Sequence, residues 1–283
     1  MTPGRPTRAS APDWLFGALI VVAGPLLLFH YGTYHWFHRD EWAFLTDSEA
    51  GGGAWLRYTH EPFAGAHWVA VPRLIYQGLW HAVGMTSYKP YQLVVVVLHL
   101  MVVVLVHKVM RRAGVRPWLA VAAASVLVIN GPGATTTTWA FQMTVVGSLA
   151  FGLAQVVLAD HQGPIGRRDA LGLACGLVAI TSSGVGVTTT GAVVVAALLR
   201  RRWKPALLHG GPLALVYGLW VALAGAQTSG LGGRPSAGLV VEWVRESAIG
   251  TLVSVGRWPL AAWLLLVVLV AGLGILWTDG RST

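Results

Sequence analysis

Residues 90–110 read PYQLVVVVLHLMVVVLVHKVM, an apolar run interrupted by one lysine and containing no acid. A helix rises 1.5 Å per residue, so about 20 such residues cover the roughly 30 Å hydrocarbon core of a bilayer. In lipid a lone segment satisfies its own backbone groups only as a helix. The stretch therefore predicts a membrane-spanning helix. Working outward, comparable runs cover 14–34, 117–133, 139–159, 170–182, 184–199, 206–225 and 257–277. The expected fold class is all-α, a polytopic transmembrane helix bundle of about eight spans.

Composition points the same way. The 283 residues are 55% hydrophobic and 11% charged, against about 25% charged in a soluble domain. Mean hydropathy is +0.61. One cysteine, Cys175, excludes an internal disulfide and a paired-thiol redox motif. The first span lacks a small-x-small cleavage site and further spans follow it, so it is not read as a signal peptide. The net charge of +9 does not imply nucleic acid, because the basic residues sit in short clusters between apolar runs.

Those clusters set the expected topology. Thirteen of the twenty Lys and Arg fall on one side of an eight-span arrangement: Arg5, Arg8, Lys108, Arg111, Arg112, Arg116, Arg167, Arg168, Arg200–Arg202, Lys204 and Arg281. The positive-inside rule then predicts a multi-pass cell-membrane protein with both termini cytoplasmic. Residues 1–13 are expected to be a disordered cytoplasmic N-terminus, and 14–283 the bundle. Residues 170–199 read either as one helix of about 45 Å or as two short helices broken at Ser182–Gly186. The second reading is preferred, as a tight hairpin of small residues or as the lining of a cavity.

The loop 35–89, on the outer side, is long for a connection. It reads as two surface helices. One covers 41–50 and ends at Gly51–Gly53. The other covers 66–83, with Trp68, Val71, Ile75 and Leu79 at helical spacing and Trp80 beside them. Such helices are expected to lie on the membrane with their aromatics at headgroup depth, as is a segment over 239–254.

This loop also holds the candidate chemistry. It opens with HWFHRDEW, residues 35–42, and five of the eleven acids (Asp40, Glu41, Asp47, Glu49, Glu61) fall between 40 and 61. Asp40 and Glu41 are adjacent and cannot share a helix face, so separate tasks are expected: base or orienting group for one, a metal or cationic neighbour for the other. The plainer alternative is a solvated helix N-terminus at Asp40. His60, Glu61 and His67 are candidates for substrate or phosphate contacts, although their spacing matches no zinc signature. Interfacial histidines are the alternative. Arg73 is the candidate phosphate clamp, since its guanidinium engages phosphate bidentately. Gln142, near the outer end of an apolar helix after Trp139-Ala140-Phe141, is a candidate substrate contact or a helix-packing group. The sequence contains no phosphate-loop glycine-lysine motif, no nucleophile elbow, no His-Glu-x-x-His and no chain of acids within a span. An ATPase, a hydrolase of those types and a proton-driven carrier are disfavoured.

An acidic pair after the first span, two juxtamembrane helices, and a bundle with short basic turns resemble the C-type glycosyltransferase superfamily of membrane enzymes. The chain resembles in particular the bacterial members related to protein mannosyltransferases and lipid A aminoarabinose transferases. The matching residues are Asp40-Glu41 before Trp42, the His60-to-Arg73 stretch and Trp139–Gln142. The resemblance covers roughly residues 14–225. It implies transfer of a sugar from a polyprenyl-phosphate donor at the outer face. Asp40 would be the general base, with Glu41 supporting it or helping to hold a divalent metal such as Mg or Mn. His60, His67 and Arg73 would serve the donor phosphate. Lipid-linked sugar and membrane lipids are the expected partners. Members of the superfamily run longer, so by resemblance the chain is expected to be a fragment or a reduced copy. A transporter or flippase, or a non-catalytic membrane protein, are the alternatives.

Overall fold

The computed structural model describes residues 10–33, 35–49, 60–64, 67–129, 137–224 and 236–256, with isolated positions between 263 and 271. Helices account for the regular structure, and among the described residues no strand forms. The all-α class is therefore observed. The chain makes two compact units, 1–230 and 231–283.

The first unit begins with α1, Ala11–Pro25. Its start is fixed by Asp13, whose carboxylate accepts from the Ser10 amide at 2.9 Å and the Ser10 hydroxyl at 2.6 Å. The expected unordered stretch 1–13 is thus shortened, since Ala11–Asp13 form the first turn. Residues 1–9 lie outside the described residues. Pro25 brings no N–H to the ladder, and the helix continues as a π-helical segment, Leu26–Tyr31. Lys89 closes that end. Its ammonium donates to the carbonyls of Leu28 at 2.6 Å and Gly32 at 2.9 Å.

The remaining helices of this unit are α2 (Glu41–Glu49), α3 (Ala70–Val83), α4 (Lys89–Arg112) and α5 (Pro117–Ile129). A 3₁₀ turn, Ala140–Gln142, then leads into α6 (Met143–Ala159), followed by α7 (Arg167–Ile180), α8 (Val185–Leu199) and α9 (Trp203–Ala224). Among the described residues four segments are long and apolar enough to cross a membrane: Ala11–Tyr31, Lys89–Arg112, Ala140–Ala159 and Trp203–Ala224. Pro117–Val128 and Val185–Leu199 are apolar but shorter. The run at 257–277 falls almost wholly outside the described residues.

Residues 170–199 form two helices, as preferred from the sequence. The turn between α7 and α8 is tight because Gly186 lets the backbones touch: a Cβ there would collide with the main chain of Ala179 and Ile180. This hairpin returns the basic clusters to one end. Arg200 pairs with Asp160, and Arg202 bonds the carbonyls of His161 and Gly163. Arg112, from α4, donates to the Val157 carbonyl at 2.7 Å. Helix α6 packs against α4, α7 and α8, and α9 closes over α7 and α8.

Two cores result. Ala23, Val103, Ala124 and Val128 join α1, α4 and α5. The second is aromatic, built from Phe37, Phe44, Tyr76, Tyr88, Tyr91 and Met143. It takes in residues of α2 and α3, the two helices expected at the surface in the outer loop. Tyr76 is fully buried, and Phe44 meets it edge-on at 5.2 Å. Trp68, expected at headgroup depth, stacks flat on Trp220 at 5.1 Å. The Val71 amide donates to the Thr181 carbonyl, tying the start of α3 to the α7–α8 turn.

The second unit holds α10, Ala237–Gly256, which covers the segment expected at 239–254. Trp243, Val244 and Ile249 are exposed on it, and Arg245 pairs with its neighbour Glu246 at 2.8 Å.

Candidate functional site

The two adjacent acids separate at the start of α2. Arg39 takes a left-handed conformation, φ 53°, and the helix begins two residues later. Successive residues on a helix differ by about 100°, so one carboxyl turns inward and the other outward. Glu41 is fully buried. Its Oε1 accepts from the Tyr76 hydroxyl at 2.5 Å and the Tyr88 hydroxyl at 3.0 Å, and its Oε2 from the His38 amide at 3.0 Å. Tyr88 in turn accepts from the Ala140 amide at 2.7 Å. Burial first, and then the Glu41 carboxylate, hold both phenols well above their ordinary range. Glu41 thus ties α2, α3, the start of α4 and the 3₁₀ turn together, and its groups are consumed by that task.

Asp40 faces the other way. It is exposed and among the described residues its carboxyl makes no hydrogen bond or ion pair. It lines a cavity of about 210 Å³ with His67, Thr144, Ser183, Phe63 and Phe141. Each wall has a local cause. Phe63 and His67 are paired by reciprocal backbone hydrogen bonds of 2.8 and 3.0 Å, which hold the two residues side by side. Phe141 sits in the 3₁₀ turn and Thr144 in the first turn of α6. Ser183 belongs to the α7–α8 turn, where its carbonyl accepts from Ser148. The result is one unpaired carboxyl, one imidazole and two hydroxyls between two aromatic walls.

Of the sequence candidates, Asp40 and His67 therefore meet. Glu41, His60, Glu61, Arg73 and Gln142 do not line this cavity. Arg73, expected as a phosphate clamp, donates to the Glu61 carbonyl at 2.9 Å. Its guanidinium lies over the Phe44 and Phe63 rings, 5.8 and 5.7 Å from their centres. His60 and Glu61 contribute their carbonyls, that of His60 to the Trp220 indole at 2.8 Å. Gln142 is half-buried in the 3₁₀ turn. Thr144 and Ser183 were not singled out for chemistry in the sequence. The only signals for them were the helix break at Ser182–Gly186 and the proximity of Thr144 to Gln142.

His38 stacks on Trp139 at 5.0 Å and the Arg39 guanidinium stands 6.0 Å from the same ring. His35 shares a hydrogen bond of 3.1 Å with the Thr138 hydroxyl. Burial first, and then His38 and Lys89, hold His35 below its ordinary pKa. Among the described residues no group of three or more His, Cys, Asp or Glu is placed to hold a metal ion.

No protein-family model, curated protein or solved structure matches this chain.

Proposed function

We propose that the protein is an integral membrane glycosyltransferase taking sugar from a polyprenyl-phosphate donor at the outer membrane face. In this reading the chain crosses the membrane about eight times, with both termini cytoplasmic. Asp40 removes the proton of the acceptor hydroxyl. The resulting oxygen bonds to the anomeric carbon as the bond from that carbon to the phosphate oxygen breaks, and the phosphate leaves with the electron pair. His67 donates to the leaving phosphate, and Thr144 and Ser183 orient sugar hydroxyls.

The observation that carries the reading is the unpaired Asp40 carboxyl in a small cavity that also holds His67, one residue from a buried anchor. General acid–base groups act from within hydrogen-bond reach of the proton they move, and rigid placement makes that reach reproducible. The size supports a small occupant. Pockets for drug-sized ligands run to about 300–1,000 Å³, so 210 Å³ suits one sugar ring and leaves a prenyl tail outside in lipid. Arg73 takes no part in this version of the mechanism, because its fork is engaged by Glu61 and the phenylalanine rings.

The test is transfer from a panel of radiolabelled polyprenyl-phosphate sugars by the purified chain in nanodiscs. Asp40→Asn is expected to lower the rate about 10²–10⁴-fold with unchanged thermal stability. Full activity in that variant removes Asp40 from catalysis. A transporter reading draws on one observation, the polar stripe Thr144, Ser148 and Gln155 along α6. Ser148 and Gln155 are bonded across the helices, to Ala179 at 2.8 Å and Thr190 at 3.2 Å, which is how polar residues join helices in a membrane.

A further inference from the structure

A second cavity, of about 390 Å³, opens at the other end of α6 from Asp40. Thr144 lines the first cavity and Asp160 the second, so roughly 25 Å of helix separates them at 1.5 Å per residue. Arg112, Arg200 and Arg202 line the second cavity, against a single acid, Asp160. The arginines are held in place by the protein itself. Arg112 is fixed by the Val157 carbonyl, Arg202 by the carbonyls of His161 and Gly163, and Arg200 by Asp160. A guanidinium has five N–H donors, and these contacts use one or two of each.

His209 makes this more than a cluster of basic residues. It lines the same cavity and is fully buried. Its Nδ1 has no hydrogen-bond partner among the described residues, while its Nε2 stands 3.5 Å from Asp169. Asp169 itself is held by the Gly166 amide at 2.9 Å and His161 at 3.1 Å. A Cβ on Gly172 would lie 2.9 Å from the His209 ring, so the glycine makes room for the imidazole at this depth. A buried polar atom left without a partner costs about 1–3 kcal/mol, which a ligand atom would offset. With its one proton on Nε2 toward Asp169, a neutral imidazole presents Nδ1 as an acceptor for a hydroxyl of the ligand.

We propose that this cavity binds a phosphate ester, with the phosphate among the three guanidinium groups and a hydroxyl of the ester's head on His209 Nδ1. Three cations against Asp160 leave about two positive charges, which match one phosphate group. Apolar walls from Val109 and Val193 continue inward from the arginines. Basic pockets between membrane helices hold anionic lipid headgroups. A lipid headgroup and a free phosphate share this chemistry, and the experiment separates them.

The full chain is placed in nanodiscs of phosphatidylcholine with and without phosphatidylglycerol, and native mass spectrometry counts retained lipid. Thermal unfolding is followed alongside, with inorganic phosphate added. Retention of phosphatidylglycerol over phosphatidylcholine, with little effect of inorganic phosphate, assigns the site to a lipid. Stabilisation by inorganic phosphate with displacement of the lipid assigns it to the phosphate group alone. Either way Arg200→Gln is expected to weaken binding about tenfold, the loss of one charge-assisted hydrogen bond. Asp160→Asn, which removes the opposing charge, is expected to strengthen it, an outcome misfolding cannot imitate. Equal retention of both lipids with no effect of phosphate overturns the proposal. So does a change in the same direction for both variants.

Discussion

Glu41 should be one of the most costly residues in this chain to replace, and Asp40, its neighbour, one of the cheapest. Glu41→Ala would strip acceptors from the Tyr76 hydroxyl, the Tyr88 hydroxyl and the His38 amide at once. Each buried donor left without a partner costs about 1–3 kcal/mol. The hydroxyls can rotate toward other acceptors, so a total of about 3–5 kcal/mol is expected, in the lower half of what three separate penalties would sum to. Tyr76→Phe removes one bond and should cost about 1.5–3 kcal/mol, the range for a hydrogen bond to a charged group. Glu41→Gln keeps one acceptor oxygen and should fall between Tyr76→Phe and Glu41→Ala. Asp40→Asn, exposed and unpaired, should stay within about 0.5 kcal/mol. Thermal unfolding of the four purified variants, read by loss of monomer on size exclusion, gives the ranking directly. If Glu41→Ala unfolds no more easily than Asp40→Asn, the buried carboxyl does not hold the outer end together and the reasoning fails.

Three further outcomes are expected. Because His35 has a depressed pKa, its neutral form is favoured in the fold; above about 6.5 both folded and unfolded states are neutral and it contributes no pH dependence. As pH falls below that value the unfolded chain takes up a proton first, so stability should drop until the folded pKa is passed, and His35→Gln should flatten that drop in unfolding curves measured against pH. Gly186→Ala should destabilise by about 1–3 kcal/mol through overpacking, because its Cβ would meet the Ala179 and Ile180 main chain; unchanged unfolding would mean the hairpin is looser than described. In a Cys175→Ala background, cysteines at Thr86 and Arg168 should label from opposite sides of the membrane, and labelling of both from outside would refute the proposed topology.

The helical periods and breaks were legible because hydropathy and small residues act locally. The hairpin at Ser182–Gly186 and α2 at 41–49 both follow from that. So did the division between Asp40 and Glu41, since helix geometry alone forbids two adjacent acids a common face. Which of them turned inward was not legible, because the choice rests on Tyr76 and Tyr88, thirty-five and forty-seven positions away. Trp68 and the α3 aromatics read as interfacial because an apolar face has the same pattern whether it meets lipid or protein. Arg73 read as a phosphate clamp because its donors suit a carbonyl and an aromatic ring equally well. The His60 carbonyl receives the Trp220 indole, and a carbonyl is a group every residue carries, so no side-chain pattern announces that contact.

The latch made by Lys89 has a consequence for how the chain is made. The carbonyls of Leu28 and Gly32 are finished by a side chain about sixty residues downstream. A ribosome adds roughly 5–20 residues per second, so for several seconds α1 exists without its terminator. During that interval those carbonyls must draw on water or on the insertion machinery. The first helical segment is therefore finished only when α4 emerges, and its end depends on a residue that has not yet been translated when the helix forms.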